Sequence, residues 1–226
     1  MDHTPHLGPG PGRPRDPEVD ERILDATLTI FERLGWHGLT LDRVAREART
    51  GKTSLYSRWT TKTDLLSAAL VWDRNRYGRR PDPSQPLREQ LIDDVCAVAQ
   101  YLLGPHGTAW LRFEIESRAL PEEFSSIRHL LLTRWVDVRL TWLQQAIDNG
   151  ELSADLPPHR LLEAIQGAAL VHALGAAPGT SHDILDGIHE WAVDLVDWQL
   201  RAFALVPLKP GPSQASPSGP KAAQPS

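Results

Sequence analysis

The sequence predicts an all-α chain in which a small amino-terminal domain of three helices is joined to a larger helical domain. Three observations carry this expectation. Apolar residues recur at three- and four-residue spacing along most of the chain, and no segment sustains the alternation of a strand. Gly and Pro divide the pattern into pieces of helical length. Residues 40–66 read as two short helices separated by a tight polar turn and followed by a third. A chain of 226 residues is long enough to bury one or two substantial cores without covalent staples.

Residues 1–15 are rich in Pro and Gly and are expected to form no helix. Asp16 and Pro17 are a cap and first-turn pair, and Ile23, Leu24, Thr27, Ile30, Phe31 and Leu34 make an amphipathic helix that stops at Gly35. Thr40 caps the next helix, which buries Leu41, Val44, Ala45 and Ala48. Arg49, Thr50 and Gly51 break the pattern. A helix from Lys52 can bury only Leu55 and Trp59. Thr61 and Asp64 form a capping box for a long helix through Leu65, Leu66, Ala69 and Trp72. From Pro86 the punctuation predicts helices over 87–103, 108–119 and 121–149, the last stopped by Gly150, then 155–175 and 181–205. After Val206 the Pro, Ser, Gly, Ala and Gln composition offers little to bury.

The helix from Lys52 carries a surface suited to a nucleic-acid groove. Thr53 and Ser57 point away from the Leu55–Trp59 seam, flanked by Ser54 and Tyr56, so a small, hydroxyl-rich face is free to approach base edges. Charge is distributed to match. Residues 33–62 hold seven Lys and Arg against two carboxylates, a net of +5, which leaves −10 for the rest of a chain whose total is −5. A local basic patch on an acidic body meets the need of a DNA reader. The same arginines can instead solvate helix faces and pair at i+4, as Asp42 with Arg46 and Arg43 with Glu47 could. In the arm, Gly12, Arg13, Pro14 and Arg15 resemble short basic segments that enter a narrow A·T-rich minor groove, the alternative being an incidental linker.

Four segments in family order and with family spacing resemble the amino-terminal domain of TetR-family transcriptional regulators: R-I-L-D-A-T-L-T-I-F at 22–31, L-G-W-H-G-L-T-L-D-R-V-A at 34–45, G-K-T-S-L-Y-S-R-W at 51–59 and T-K-T-D-L-L at 61–66. The turn departs from the family pattern of Gly, an apolar residue and Ser or Thr. The resemblance implies a helix-turn-helix DNA-binding domain over 16–62, preceded by the arm 1–15 and joined to a helical ligand-binding and dimerisation domain over 63–205, with a tail over 206–226. It implies a sequence-specific regulator that binds a pseudo-palindromic, double-stranded DNA operator, expected to be a repressor released by a small molecule. Thr53, Tyr56 and Ser57 are expected at base edges or the adjoining backbone, and Thr40, Lys52 and Lys62 at phosphates. Arg13, Arg15, Arg49, Thr50 and Ser54 complete the expected DNA-facing set.

The resemblance also implies a homodimer and an effector cavity. Leu161, Ile165, Ala168, Ala169 and His172 on one helix, with Ile184, Ile188, Trp191, Leu195 and Trp198 on the next, are the expected interface, a four-helix bundle between two chains; the alternative is that both helices pack only on their own domain. Trp72, Tyr101, Trp110, Phe113, Glu114, Trp135, Trp142 and His172 are the expected lining of the cavity, with Tyr77 a further aromatic candidate, although a Trp at helical spacing also serves a core. Their aromatic excess points to a bulky, partly hydrophobic effector.

Other chemistry is sought without result. No G-x-G-x-x-G, Walker loop, C-x-x-C or H-E-x-x-H occurs, so no cofactor or metal is expected, and no catalytic constellation is visible. The single Cys96 and the absence of a charged-then-apolar leader point to the cytoplasm. The longest apolar run, 164–177, is interrupted by Gln166 and His172 and is shorter than the ~20 residues of a membrane span. An activator or a ligand-independent regulator remains as an alternative, as does a helical module whose basic segment neutralises an acidic protein partner.

Overall fold

The structure, a computed structural model, describes residues 17–77, 82, 84–131, 135–155, 157–175 and 181–204. Arg13 and Arg15, the arm 1–15, the tail 206–226 and the Tyr77 side chain lie outside the described residues. Among the described residues the elements are helical: α1 Pro17–Gly38, α2 Leu41–Glu47, α3 Lys52–Tyr56, α4 Lys62–Tyr77, α5 Leu87–Leu103, α6 Gly107–Ala119, α7 Pro121–Leu131, α8 Asp137–Asp148, α9 Pro158–Leu174 and α10 Ser181–Ala204.

Local signals account for most ends. Thr40 is the cap of α2, its hydroxyl accepting from the Arg43 amide at 3.3 Å. Ahead of α4, Thr61 Oγ1 accepts from the Asp64 amide at 3.0 Å, as a capping box requires, and donates to the Asp64 carboxylate at 2.7 Å. Gly35 breaks α1 as expected, with φ 65° and ψ −169°, but one further turn follows it to Gly38. Within the single helix expected over 121–149 the described residues form α7 and α8, with a π-helical turn at Trp135–Val136 directly before α8.

Two apolar cores hold the chain. The first gathers α1–α4 with Ala109 and Phe113 of α6 and Phe124, Ile127 and Leu131 of α7. The second gathers α5, α8, α9 and α10 around Leu91, Val95, Leu143, Leu161, Ile165 and Val196. The core therefore does not divide at the boundary expected between 62 and 63. Phe124 joins the amino-terminal helices to α6 and α7, its ring centroid 4.8 Å from that of Trp36, 6.3 Å from Phe31 and 5.7 Å from Phe113. Such ring pairs contribute about 0.5–1.5 kcal/mol each beyond the area they bury.

Candidate nucleic-acid interface and effector cavity

The reading surface is built by a short turn and a shorter helix. Arg49 adopts φ 51°, a left-handed conformation that allows the Thr50 amide to reach the Ala45 carbonyl at 2.9 Å. Gly51 then starts α3 without a side-chain cap, and its carbonyl accepts from the Ser54 and Leu55 amides. Leu55 is fully buried and Trp59 half-buried against the same core. The opposite side of the helix is open, with Lys52, Thr53, Tyr56 and Ser57 exposed and Tyr56 the largest group on it.

Three expected contacts differ in the structure. Ser54 turns inward, its hydroxyl accepting from Arg58 Nη1 at 2.7 Å, while Arg58 also pairs with Asp20 of α1, so Ser54 serves the fold rather than an open DNA face. Asp42 pairs with Lys52 at 2.7 Å and Arg43 donates to the Gly38 carbonyl at 2.7 Å, not in the i+4 pairs that are the alternative reading of these residues. Lys62 finds inside the chain the partner expected from DNA: its ammonium donates to the Trp36 carbonyl at 3.2 Å and lies 3.9 Å from the centroid of the Trp36 ring. Thr40 and Arg49 are exposed beside this face, and Thr50 is half-buried in the turn. The Asp42–Lys52 pair is open to water, where such pairs contribute about 0–1 kcal/mol, so a phosphate can take Lys52 from Asp42 at little cost.

Behind the reading surface, the Trp36 amide donates to Glu116 Oε2 of α6 at 2.8 Å, and Arg112 holds Oε1 of the same carboxylate at 3.0 Å. Gly35 permits this approach. A Cβ there would lie 2.3 Å from Glu116 Oε1, on a backbone conformation that only glycine adopts readily. Trp36 is thus gripped by Lys62 of α4 on one side and by Glu116 of α6 on the other.

A cavity of about 450 Å³, within the size range of small-molecule sites, lies where α4, α5, α6, α7, α8 and α9 meet. Of the eight residues expected to line it, Trp110, Phe113, Glu114 and Trp135 do. The other four lie elsewhere. Trp72 packs on the first core with its ring 6.5 Å from that of His106, Tyr101 lies beneath Arg74, Trp142 packs on the second core, and His172 stacks on Trp191 at 4.0 Å. The sequence reading missed the arginines: Arg74, Arg118, Arg128 and Arg139 all line the cavity, facing the carboxylates of Glu114 and Glu163.

These charged groups differ in what they touch. Arg139 is buried and bonds both Asp94 oxygens, at 2.8 and 2.9 Å from Nε, and the Trp135 carbonyl at 3.0 Å. Arg128 reaches Ser117 Oγ at 2.9 Å and Glu114 at 3.4 Å. Arg74 is 8% exposed and stacks 4.5 Å from the Tyr101 ring centroid. Burial, and then the nearby Arg139, push its guanidinium below the usual arginine value. Next to it, burial raises the Asp73 carboxyl above its ordinary value, partly offset by the charge of His106 and the Tyr101 hydroxyl.

The expected dimer face requires the largest correction. Leu161, Ile165, Ala169 and Ile188 are between 0% and 4% exposed within a single protomer, so they face their own core and present nothing to a second chain. What the two helices leave uncovered is Trp198 at 76%, Val171 at 70% and Leu174 at 58%, with Ala168, His172, Ile184, Trp191 and Leu195 half-buried. No helix among the described residues is long and apolar enough to cross a membrane.

A short outward helix on a helix-turn-helix, backed by a helical body with its own cavity, defines a DNA-binding protein of the two-domain regulator class. Comparison with known proteins agrees. Residues 23–69 match the family profile "Bacterial regulatory proteins, tetR family". The chain is 30% identical over 178 residues to the HTH-type transcriptional regulator AqdR of Rhodococcus erythropolis, covering 78% of this chain and 82% of that one. It is 27% identical to an uncharacterised HTH-type transcriptional regulator of Mycobacterium tuberculosis, over 74% and 79% of the two chains. The fold is similar to that of Salmonella enterica GusR, at a TM-score of 0.62 and 15% identity over 81% and 95% of the chains. It is also similar to a TetR-family regulator from Haemophilus influenzae, at 0.57 and 19% over 81% and 98%. The chain belongs to the TetR family of transcriptional regulators, a DNA-binding regulator and not an enzyme.

Proposed function

We propose that the protein is a homodimeric repressor, acting in the cytoplasm, that holds a pseudo-palindromic operator and is released when a small molecule fills the α4–α9 cavity. One observation carries this reading: α4 runs unbroken from Arg74 in the cavity wall to Lys62 on Trp36, a span of about 18 Å at 1.5 Å per residue. A helix of that length moves as a rod. A ligand that shifts its carboxy-terminal half must tilt the end that supports the reading surface, and two recognition helices must keep the spacing of half-sites to stay bound. Glu116 gives α6 a second grip on the same tryptophan. The exposed Trp198, Val171 and Leu174 supply the apolar surface for a partner protomer.

On DNA, Thr53, Tyr56 and Ser57 would face base edges or the adjoining backbone, and Thr40, Arg49, Thr50 and Lys52 the phosphates at its borders. Selection of sites from a random DNA pool tests this. The Thr53→Ala and Ser57→Ala proteins should select a changed consensus, at about 1–3 kcal/mol per altered base pair, with nonspecific affinity kept. An unchanged consensus for both removes the assignment.

A further inference from the structure

We propose that the molecule taken up by the cavity is a monoanion, a bulky apolar body bearing one carboxylate, and that Arg74 of α4 holds that carboxylate. The proposal rests on the cavity being the effector site, and adds the chemistry of the effector. Arg74 is more than nine-tenths buried, lines the cavity, and donates no hydrogen bond to any described residue. Its ring contacts with Tyr101 and Trp110, at 4.5 and 6.0 Å, hold the guanidinium plane and leave its N–H donors unused. A buried guanidinium is costly unless an acceptor meets it, and a carboxylate fits its fork with two parallel bonds.

The neighbouring groups bear on what Arg74 can accept. Asp73 feels His106 and the Tyr101 hydroxyl ahead of Arg76 and Arg74, and Asp94 is hydrogen-bonded to Arg139. Arg128 is committed to Glu114 and Ser117, while Arg118 and Glu163 are exposed at the rim. Asp94 and Asp73 act on Arg74 through space but accept no hydrogen bond from it, so one carboxylate would supply the acceptor that its fork lacks. A dianion such as a phosphate monoester would add surplus negative charge beside Glu114 and Glu163. The rest of the wall, including Val98, Leu102, Phe113, Leu131 and Trp135, accepts an apolar body. Because Arg74 belongs to α4, the carboxylate pulls on the same helix that bears Lys62.

The test uses the full chain and two matched pairs of probes, 2-naphthoate against 2-naphthamide and decanoate against decanamide, titrated by calorimetry. The acids should bind wild type at least about tenfold more tightly than their amides, the size of one hydrogen bond to a charged group. Arg74→Gln should erase that preference and Arg74→Lys should keep part of it. Loss of an unpartnered buried charge does not undermine the fold, and a thermal melt at or above wild type verifies this for Arg74→Gln. Gly167→Trp supplies the control: a Cβ at this cavity-lining glycine meets nothing within 4 Å, so the indole can occupy the cavity. If Gly167→Trp blocks both acids and amides but wild type does not distinguish them, or Arg74→Gln still prefers acids, the assignment of Arg74 is overturned and the cavity stands. If Gly167→Trp binds every probe as wild type does, the cavity reading is overturned together with it.

Discussion

Replacing Gly35 with alanine should be among the most damaging single-methyl changes in the protein. Two costs add. The conformation at φ 65°, ψ −169° belongs to a region that residues with a Cβ occupy at about 1–3 kcal/mol. The new methyl would also sit 2.3 Å from Glu116 Oε1 and 2.7 Å from Arg112 Nη1, so the carboxylate must withdraw from the Trp36 amide it now accepts at 2.8 Å. Trp36 is 2% exposed, and a buried amide that loses a charged acceptor forfeits about 1.5–3 kcal/mol. Together these give about 3–5 kcal/mol, a large part of the stability of an ordinary domain. Urea unfolding of Gly35→Ala, Glu116→Ala and the double variant separates the parts. In the Glu116→Ala background the alanine should cost only the backbone share, leaving a coupling of about 1.5–3 kcal/mol. A Gly35→Ala cost below about 1 kcal/mol, or an equal cost in both backgrounds, refutes the reasoning.

Arg49→Gly should stabilise the chain by about 1 kcal/mol, because glycine relieves the left-handed backbone of the turn; a lower melting temperature would show that the arginine side chain contributes more than its backbone costs. Asp73→Asn should be more stable than wild type at pH 7.5. The folded carboxyl titrates above its ordinary 3.8, so the native state binds the proton more tightly and wild-type stability falls as pH rises from 3.8 through that raised value. The advantage of Asn should therefore shrink towards pH 4, and wild type exceeding the variant at pH 7.5 would contradict burial as the dominant cause. Trp198→Glu should weaken self-association by at least about 2 kcal/mol, roughly thirtyfold, without lowering the monomer's melting temperature. Sedimentation at the wild-type dimer content would place the interface elsewhere.

The amino-terminal helices were legible because their signals are local: a Thr cap, a Gly break, a capping box and a thin apolar seam each act within a few residues. Leu87–Leu103 has the bounds that its punctuation predicts. A helical stripe shows that a face is apolar and not what covers it, which is why Leu161, Ile165, Ala169 and Ile188 were assigned to a partner when α9 and α10 bury them within one chain. The cavity arginines were missed because a lone Arg on a helix normally marks solvent. A sign was present: Leu66, Leu70 and Arg74 follow one another at i+4, and Leu65, Leu66, Ala69, Leu70 and Asp73 continue the same stripe, so both charged residues lie on the face that the leucines bury.

The ring of Phe124 has a consequence for biosynthesis. Phe31 and Trp36 rest against a side chain made roughly ninety residues later, so the pocket that seats them does not exist while only α1–α4 have left the ribosome. A fragment ending after α4 would bare these aromatic residues and be prone to aggregate. Chains truncated in the first half of the gene are expected to lose function, because the side chain that completes this core is never made.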